Sequence, residues 1–378
     1  MTKPLDPKKD PARRCLKIDA WPELDQQAWL AGLEDGDFFE PQGTAVRWKP
    51  RTQKKVSVAY GRWLTWLDRL DRLDRAARPA DRVTPTNVGS YIQDLGAIGN
   101  SPYTVLGRVR DLYNAMKAME PDRDWGWLQR LAYRLRRRVR PVRNKRARVV
   151  PSYELWQFGL ELMEKAEGPD GGSPFARAGT YRNGLMVSLL AARPLRRRNF
   201  ASIEIGRHLV NEGDQYSLQF EGTETKTGAV IDIKFPATLV PYLERYLSHH
   251  RPFLAQRTGR WKNRIPDLRP PGMNLWVSDY ASAMSEGAIY EQIRNLTRAK
   301  FGRGLGPHMF RDCAATSVAT EDPEHVLIVP SLLGHSSPQT SQEYYDHAQS
   351  HHAVRRYQQL VLAQRKRGRD DGDRVGPK

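Results

Sequence analysis

Residues 307–347 decide the reading of this chain: Pro307-His308-Met309-Phe310-Arg311 is followed by Leu332-Leu333-Gly334-His335-Ser336-Ser337-Pro338 and then by Tyr344-Tyr345-Asp346-His347. His308 and Arg311 are three positions apart, so they share one face of a helix that starts at Gly306-Pro307 and runs on through Ala314, Ala315 and Val318. Gly334 suits a helix C-terminus and Ser337-Pro338 suits the start of another helix, which puts His335 in a tight turn between the two. By itself a His-x-x-Arg pair is better explained as a solvated helix face. Followed in order by a second histidine and a tyrosine, it becomes a set of side chains able to hold a phosphate and attack it.

Composition narrows the partner of such a site. The 378 residues are too many for one small core and predict two domains, and 39% hydrophobic residues with ten tryptophans supply the apolar material to fold them. Sixty-one Lys and Arg against 43 Asp and Glu leave a formal net charge of +18, which calls for an anionic partner. Nucleic acid leads, ahead of a ribosomal or membrane-surface location. Cys15 and Cys313 are the two cysteines, too few for a disulfide framework or a four-ligand zinc site, and they fit a reducing cytoplasm. No apolar run approaches the roughly 20 residues that span a bilayer, and Met1-Thr2-Lys3-Pro4-Leu5 lacks the apolar stretch of a signal peptide. The expectation is a cytoplasmic protein associated with the bacterial nucleoid, with no metal and no cofactor.

Along the chain, residues 1–48 are rich in Pro, Asp and Gly around a short apolar island of Trp21, Leu24, Trp29 and Leu30, and read as a loosely ordered arm with one helix. From residue 49 to 140 the pattern becomes helical. Val58, Trp63, Leu64, Trp66, Leu67, Leu70 and Leu73 recur at helical spacing. Thr84-Pro85 and Ser101-Pro102 are cap and first-turn pairs for two further helices. A fourth runs from about Trp125 to Arg138 and ends before Pro141. Residues 141–151 form a linker that overlaps the densest basic run of the chain, Arg134 to Arg148, in which Arg136, Arg137, Arg138, Arg140, Arg143, Lys145 and Arg146 are candidates to track a phosphate backbone. The bland reading of that run is a solvated helix end and linker.

Residues 152–350 form a second, mainly helical domain, with helices near 154–165 and through Leu185 to Leu190. Tyr216 to Phe220 and Val230 to Phe235 alternate apolar with polar and predict a β-hairpin around Glu224-Thr225-Lys226-Thr227-Gly228. The fold class is thus mainly α with a small β-sheet. In residues 351–378, Ala353, Val354, Tyr357, Leu360 and Val361 keep helical spacing ahead of a charged tail, suited to docking on a neighbouring protomer or on their own domain.

These motifs resemble those of the tyrosine recombinase (phage-type integrase) family over roughly residues 50–350. Residues 49–140 look like its α-helical, SAM-like core-binding domain, and residues 152–350 like its mixed α+β catalytic domain. The family's ordered signature falls on Arg196, Lys226, His308, Arg311, His335 and Tyr344. Pro194-Leu195-Arg196-Arg197-Arg198-Asn199-Phe200-Ala201-Ser202-Ile203 is similar to its Gly-Leu-Arg-x-x-Glu-x-x-x-Leu segment, with Asn199 where an acidic residue is usual. Arg196 is chosen because that register leaves Phe200 and Ile203 at apolar positions; Arg197 and Arg198 then become phosphate contacts or surface. Lys226, at the hairpin tip, is the family's minor-groove lysine, with Lys234 as the substitute. Tyr344 stands nine residues after His335, the family's usual spacing, while Tyr345-Asp346-His347 resembles its Tyr-x-His ending, so Tyr345 is the alternative nucleophile.

What the resemblance implies is a strand transferase independent of metal and ATP. The tyrosine would form a 3′-phosphotyrosine, two arginines would hold the non-bridging oxygens, and Lys226 would protonate the leaving 5′ oxygen. It also implies four protomers on two double-stranded DNA sites, as a homotetramer or with a related recombinase. The alternatives are a type IB topoisomerase-like relaxing enzyme, which uses similar residues, and a DNA-binding relative that has lost catalysis, although none of the six residues is missing. A metal-dependent nuclease would need clustered acidic ligands, which do not stand near the histidines. The N-terminal segment also lacks the strand pattern of a separate accessory-site DNA-binding domain.

Overall fold

A computed structural model describes residues 10–36, 42–140, 146–213, 215–256, 270–334 and 342. The chain divides into two compact units, Met1–Asn144 and Lys145–Lys378.

The first unit is all helical: α1 (Glu23–Ala31), α2 (Pro50–Arg69), α3 (Pro79–Arg82), α4 (Pro85–Ala97), α5 (Pro102–Met119) and α6 (Gly126–Arg138). The two expected caps form, with the Thr84 hydroxyl accepting from the Asn87 N–H and the Ser101 hydroxyl from the Thr104 N–H. The long helix α2 buries Val56, Tyr60, Trp63, Leu64 and Leu67 on its inner stripe and stacks Trp63 on Trp66, with Tyr91 of α4 against both. It stops at Arg69, so Leu70 and Leu73 lie beyond it.

The segment read as an arm holds one helix, α1, and much of it is built into this same core. Trp21, Trp29 and Ala45 are buried there with Tyr60 and Trp63, and Trp21 meets the Tyr60 ring edge-on at 5.0 Å. Leu16 donates its N–H to the Gly61 carbonyl and the Thr65 hydroxyl of α2. A Cβ on Gly61 would stand 2.1 Å from the Leu16 oxygen, so a glycine is needed where the strap crosses the helix. Beneath it, Asp25 of α1 is fully buried, accepting from the Tyr60 hydroxyl at 2.6 Å and pairing with the guanidinium of Arg82.

The second unit is built on α7 (Ser152–Glu167) and α8 (Pro174–Ala192), followed by the short α9 (Arg197–Ala201). Nearly every residue of α8 from Ala178 to Ala191 is buried, so the helix lacks the polar face that periodicity detects. Its close packing on α7 runs through Gly159 and Gly184: a Cβ on Gly159 would fall 2.1 Å from the Ser188 Oγ and 2.7 Å from the Gly184 oxygen. Gly159→Ala should therefore overpack this crossing and cost the unit about 1–3 kcal/mol, read as a lowered denaturant midpoint. An unchanged midpoint would mean that the helices separate freely.

The sheet has three antiparallel strands in the order β1 (Leu209–Asn211), β2 (Tyr216–Phe220) and β3 (Ile231–Lys234). The expected hairpin is β2–β3, paired Phe220 to Ile231 through Ser217 to Lys234; β1, at three residues, was too short to read. After α10 (Val240–Arg245) and α11 (Arg251–Ala255) the chain continues in α12 (Glu286–Phe301), α13 (Pro307–Glu321) and α14 (Val329–Leu333). Helix α13 docks on the start of α7, with Cys313 buried beside the Val150 N–H and the Ser317 hydroxyl accepting from the Ser152 N–H. Burial pushes the Cys313 thiol up to about 11, so it is a packing residue and not a nucleophile. No helix among the described residues is long and apolar enough to cross a membrane.

Candidate active site

Three segments distant in sequence meet at the C-terminal end of α14. Gly334 ends that helix in the left-handed conformation (φ 55°, ψ 49°), which turns its last carbonyls outward. The Leu333 carbonyl accepts from Nη2 of Arg311, whose Nη1 donates to the Pro194 carbonyl at 2.8 Å. The next carbonyl, that of Gly334, accepts from Nη2 of Arg196 at 2.7 Å. Two arginines 115 positions apart are thereby seated on successive peptide units immediately before His335. A guanidinium carries five N–H donors, so each seat orients the group while using a part of its capacity. The negative end of the helix adds to the attraction.

Arg311 is 5% exposed and points inward from α13. Arg196 is half-buried at the N-cap of α9, and burial pulls its pKa below the ordinary arginine value. Among the described residues no carboxylate pairs with Arg196, and its charge is partly desolvated. That is the electrostatic condition of a site that an anion would complete. The neighbouring arginines behave differently. Arg197 pairs with Glu286 of α12 at 3.1 Å and lies 5.7 Å from the Tyr290 ring centre, while Arg198 is exposed.

His308 occupies the first turn of α13, exposed, one turn before Arg311. Gly306 caps this helix, and a Cβ there would come within 2.2 Å of the Tyr290 ring, so glycine lets the start of α13 settle against α12. Lys226 is exposed in the β2–β3 loop. Lys234, its substitute, pairs with Glu212 at 2.5 Å from β3, with the Ser217 hydroxyl at 3.4 Å. His335, Tyr344 and Tyr345 lie outside the described residues, as do Arg143, Lys145 and the side chain of Arg146. Arg136, Arg137 and Arg138 are exposed in the last turn of α6, where positive charge also suits the helix end, and Arg140 is exposed just beyond.

The loop carrying Lys226 is tied down by residues that sequence reasoning did not select. Glu224 accepts from Arg207 at 2.6 Å, from His208 at 3.1 Å and from the Glu221 N–H at 3.0 Å. Burial raises its pKa, but the His208 bond, the Glu221 N–H and the His208 and Arg207 charges outweigh it, leaving the carboxyl below its ordinary range. Its backbone carbonyl accepts from the buried Asn199 amide at 3.4 Å. The one sequence signal was the Glu221-x-x-Glu224 spacing of a capping box. Among the described residues no three His, Cys, Asp or Glu side chains are grouped as a metal site requires.

A model of the phage integrase family matches residues 162–351. Among solved structures, the XerH site-specific recombinase bound to difH substrate in a pre-cleavage complex is 16% identical, over 78% of this chain and 76% of that one, with a TM-score of 0.50. The Tn1549 transposon integrase in complex with transposon right-end DNA is 14% identical, over 88% of this chain and 98% of that one, also with a TM-score of 0.50. At these identities the structures speak for the fold alone. No curated protein matches the chain.

Proposed function

The chain belongs to the phage integrase family, the tyrosine recombinases, and on that premise we propose that it cuts and rejoins DNA at specific sites through a 3′-phosphotyrosine intermediate, without metal or ATP. The observation that carries this reading is the seating of Arg196 and Arg311 on the successive carbonyls of Leu333 and Gly334. Attack on a phosphodiester builds negative charge on the non-bridging oxygens. Two guanidiniums, each able to donate a parallel pair of hydrogen bonds and charged at any working pH, meet that charge in the way a metal ion does elsewhere. The positive end of α13, where His308 stands, adds to the field at the same phosphate.

In this reading Tyr344 is the nucleophile. An ordinary phenol near pH 7 is ionised in about one molecule per thousand, so His308 accepts its proton, directly or through water, as the bond to phosphorus forms. His335 donates to a non-bridging oxygen. Lys226 gives a proton to the departing 5′ oxygen, and the phosphotyrosine keeps the bond energy for religation. The engagement of Arg197 by Glu286 supports Arg196 as the arginine that meets DNA. Double-stranded DNA is the partner, bound with the exposed arginines from Arg136 to Arg140 and the basic linker, and four protomers act on two sites.

The test is covalent trapping. DNA fragments captured as SDS-resistant adducts identify the cognate site, and a nicked suicide substrate built on it should yield an adduct at its 3′ phosphate that peptide mapping places on Tyr344. An adduct on Tyr345 would move the nucleophile by one residue. Undiminished cleavage by the Tyr344→Phe/Tyr345→Phe double variant, or strict dependence on Mg²⁺, would overturn the mechanism.

A further inference from the structure

The sequence Phe220-Glu221-Gly222-Thr223-Glu224-Thr225-Lys226-Thr227-Gly228 leaves β2 and returns toward β3 as a closed loop. One 3-10 turn, Gly222–Glu224, is held by a capping box between Glu221 and Glu224. The buried Thr225 hydroxyl lies 3.1 Å from the Gly222 carbonyl and 2.8 Å from that of Ala229, and Gly228 reverses the chain at φ +77°. A Cβ on Gly222 would come within 2.5 Å of the Gly228 oxygen, so the two sides of the loop touch. The loop is therefore internally stiff, and the position of its lysine depends on what anchors it from outside.

Those outside anchors converge on Glu224. His208 is 3% exposed and lies face to face with Phe220 at 4.7 Å. Its Nδ1 accepts the Glu204 N–H, so the hydrogen sits on Nε2 and is donated to the Glu224 carboxylate. Arg207 reaches the same oxygen. On the opposite side the Glu224 carbonyl takes the amide of Asn199, which belongs to α9, the helix that Arg196 caps. Asn199 stands where the family pattern has an acid, and a carboxylate there would face the carbonyl with no hydrogen to give.

We propose that Glu224 is a positioning residue, fixing the Lys226 loop against the Arg196 helix so that the lysine meets the 5′ oxygen of the phosphate that Arg196 holds. The inference rests on the assignment of Lys226 as proton donor made above. In that step the Tyr344 oxygen bonds to phosphorus, the bond from phosphorus to the 5′ oxygen breaks, and the Lys226 ammonium proton passes to that oxygen to give a 5′ hydroxyl. Glu224 takes no part in the bond changes. Its contact with Arg207 is largely exposed and adds little to folding stability.

Glu224→Gln tests this directly. The amide offers one accepting oxygen where two are used, one by Arg207 and His208 and the other by the Glu221 N–H, so the loop loses an anchor while keeping its shape. Cleavage of the suicide substrate should slow about 10–100-fold, the scale of a misplacement near 1 Å. A substrate with sulfur in place of the 5′ bridging oxygen leaves as a thiolate and needs no proton. On it, Glu224→Gln and the benchmark Lys226→Ala should both return to near the rate of the unmodified protein, whereas damage to folding or DNA binding would persist. If Lys226→Ala is rescued and Glu224→Gln is unimpaired, or is impaired on both substrates, Glu224 has no positioning role. If Lys226→Ala is itself not rescued, Lys226 is not the proton donor and the inference falls with that assignment.

Discussion

If Arg311 holds the phosphate as proposed, Arg311→Lys should lower the single-turnover rate of adduct formation by about 10³ to 10⁵, the range seen when an arginine contact to a transferring phosphoryl group is lost. Charge is conserved in this substitution, so the loss isolates geometry. The Arg311 fork spans the carbonyls of Pro194 and Leu333 from a site 5% exposed, and in the proposed mechanism its planar shape meets phosphate oxygens as well. An ammonium on a flexible stem cannot span both carbonyls and a phosphate. The check is the adduct rate on the suicide substrate beside DNA affinity and thermal midpoint. A rate within tenfold of the unmodified protein, with folding intact, would show that Arg311 supports the fold and does not meet the phosphate.

The second large effect is on stability, in the first unit. Asp25→Ala should destabilise that unit by about 3–5 kcal/mol, because it leaves the Arg82 guanidinium, 4% exposed, as an uncompensated buried charge. Tyr60 loses its acceptor at the same time. In the parent, burial first and then the Asp25 charge raise the Tyr60 pKa; in the variant burial still opposes ionisation while the uncompensated Arg82 favours it, and in neither form does the phenol regain an acceptor from Asp25. Denaturant unfolding followed by tryptophan fluorescence reads the change, since Trp21, Trp29, Trp63 and Trp66 share this core. Replacing both partners at once, Asp25→Leu with Arg82→Met, should recover most of the loss. A single variant as stable as the parent would mean that water reaches Arg82.

The helices that sequence made legible are those that carry local signals. Thr84-Pro85 and Ser101-Pro102 announce α4 and α5 because a cap and a proline act within one turn. Only the apolar end of α8 was visible. Its first half holds Gly179, Arg182, Asn183 and Gly184, which read as surface residues, yet Arg182 is buried by donating to the Val277 carbonyl and to Asp279, nearly a hundred residues away. The place of α1 was hidden for the same reason, since Asp25 is explained by Arg82, 57 positions on. At the site, His308 and Arg311 stood out by their i, i+3 spacing. The carbonyls that seat the arginines did not, because a backbone acceptor has no residue type. Glu224 was passed over because its partners lie on three separate segments.

Both arginines rest on adjacent peptide units of one five-residue helix, Val329–Leu333, and its glycine cap. If both arginines hold phosphate as proposed, the ordering of that single turn serves two groups at once, and disordering it removes the Arg196 seat and one of the two carbonyls that seat Arg311. In a double-mutant cycle Arg196 and Arg311 should not add: the first loss already forfeits part of what the second would remove. In the proposed mechanism the two guanidiniums would then act as one coupled clamp, whose grip on phosphate follows the order of a single helical turn.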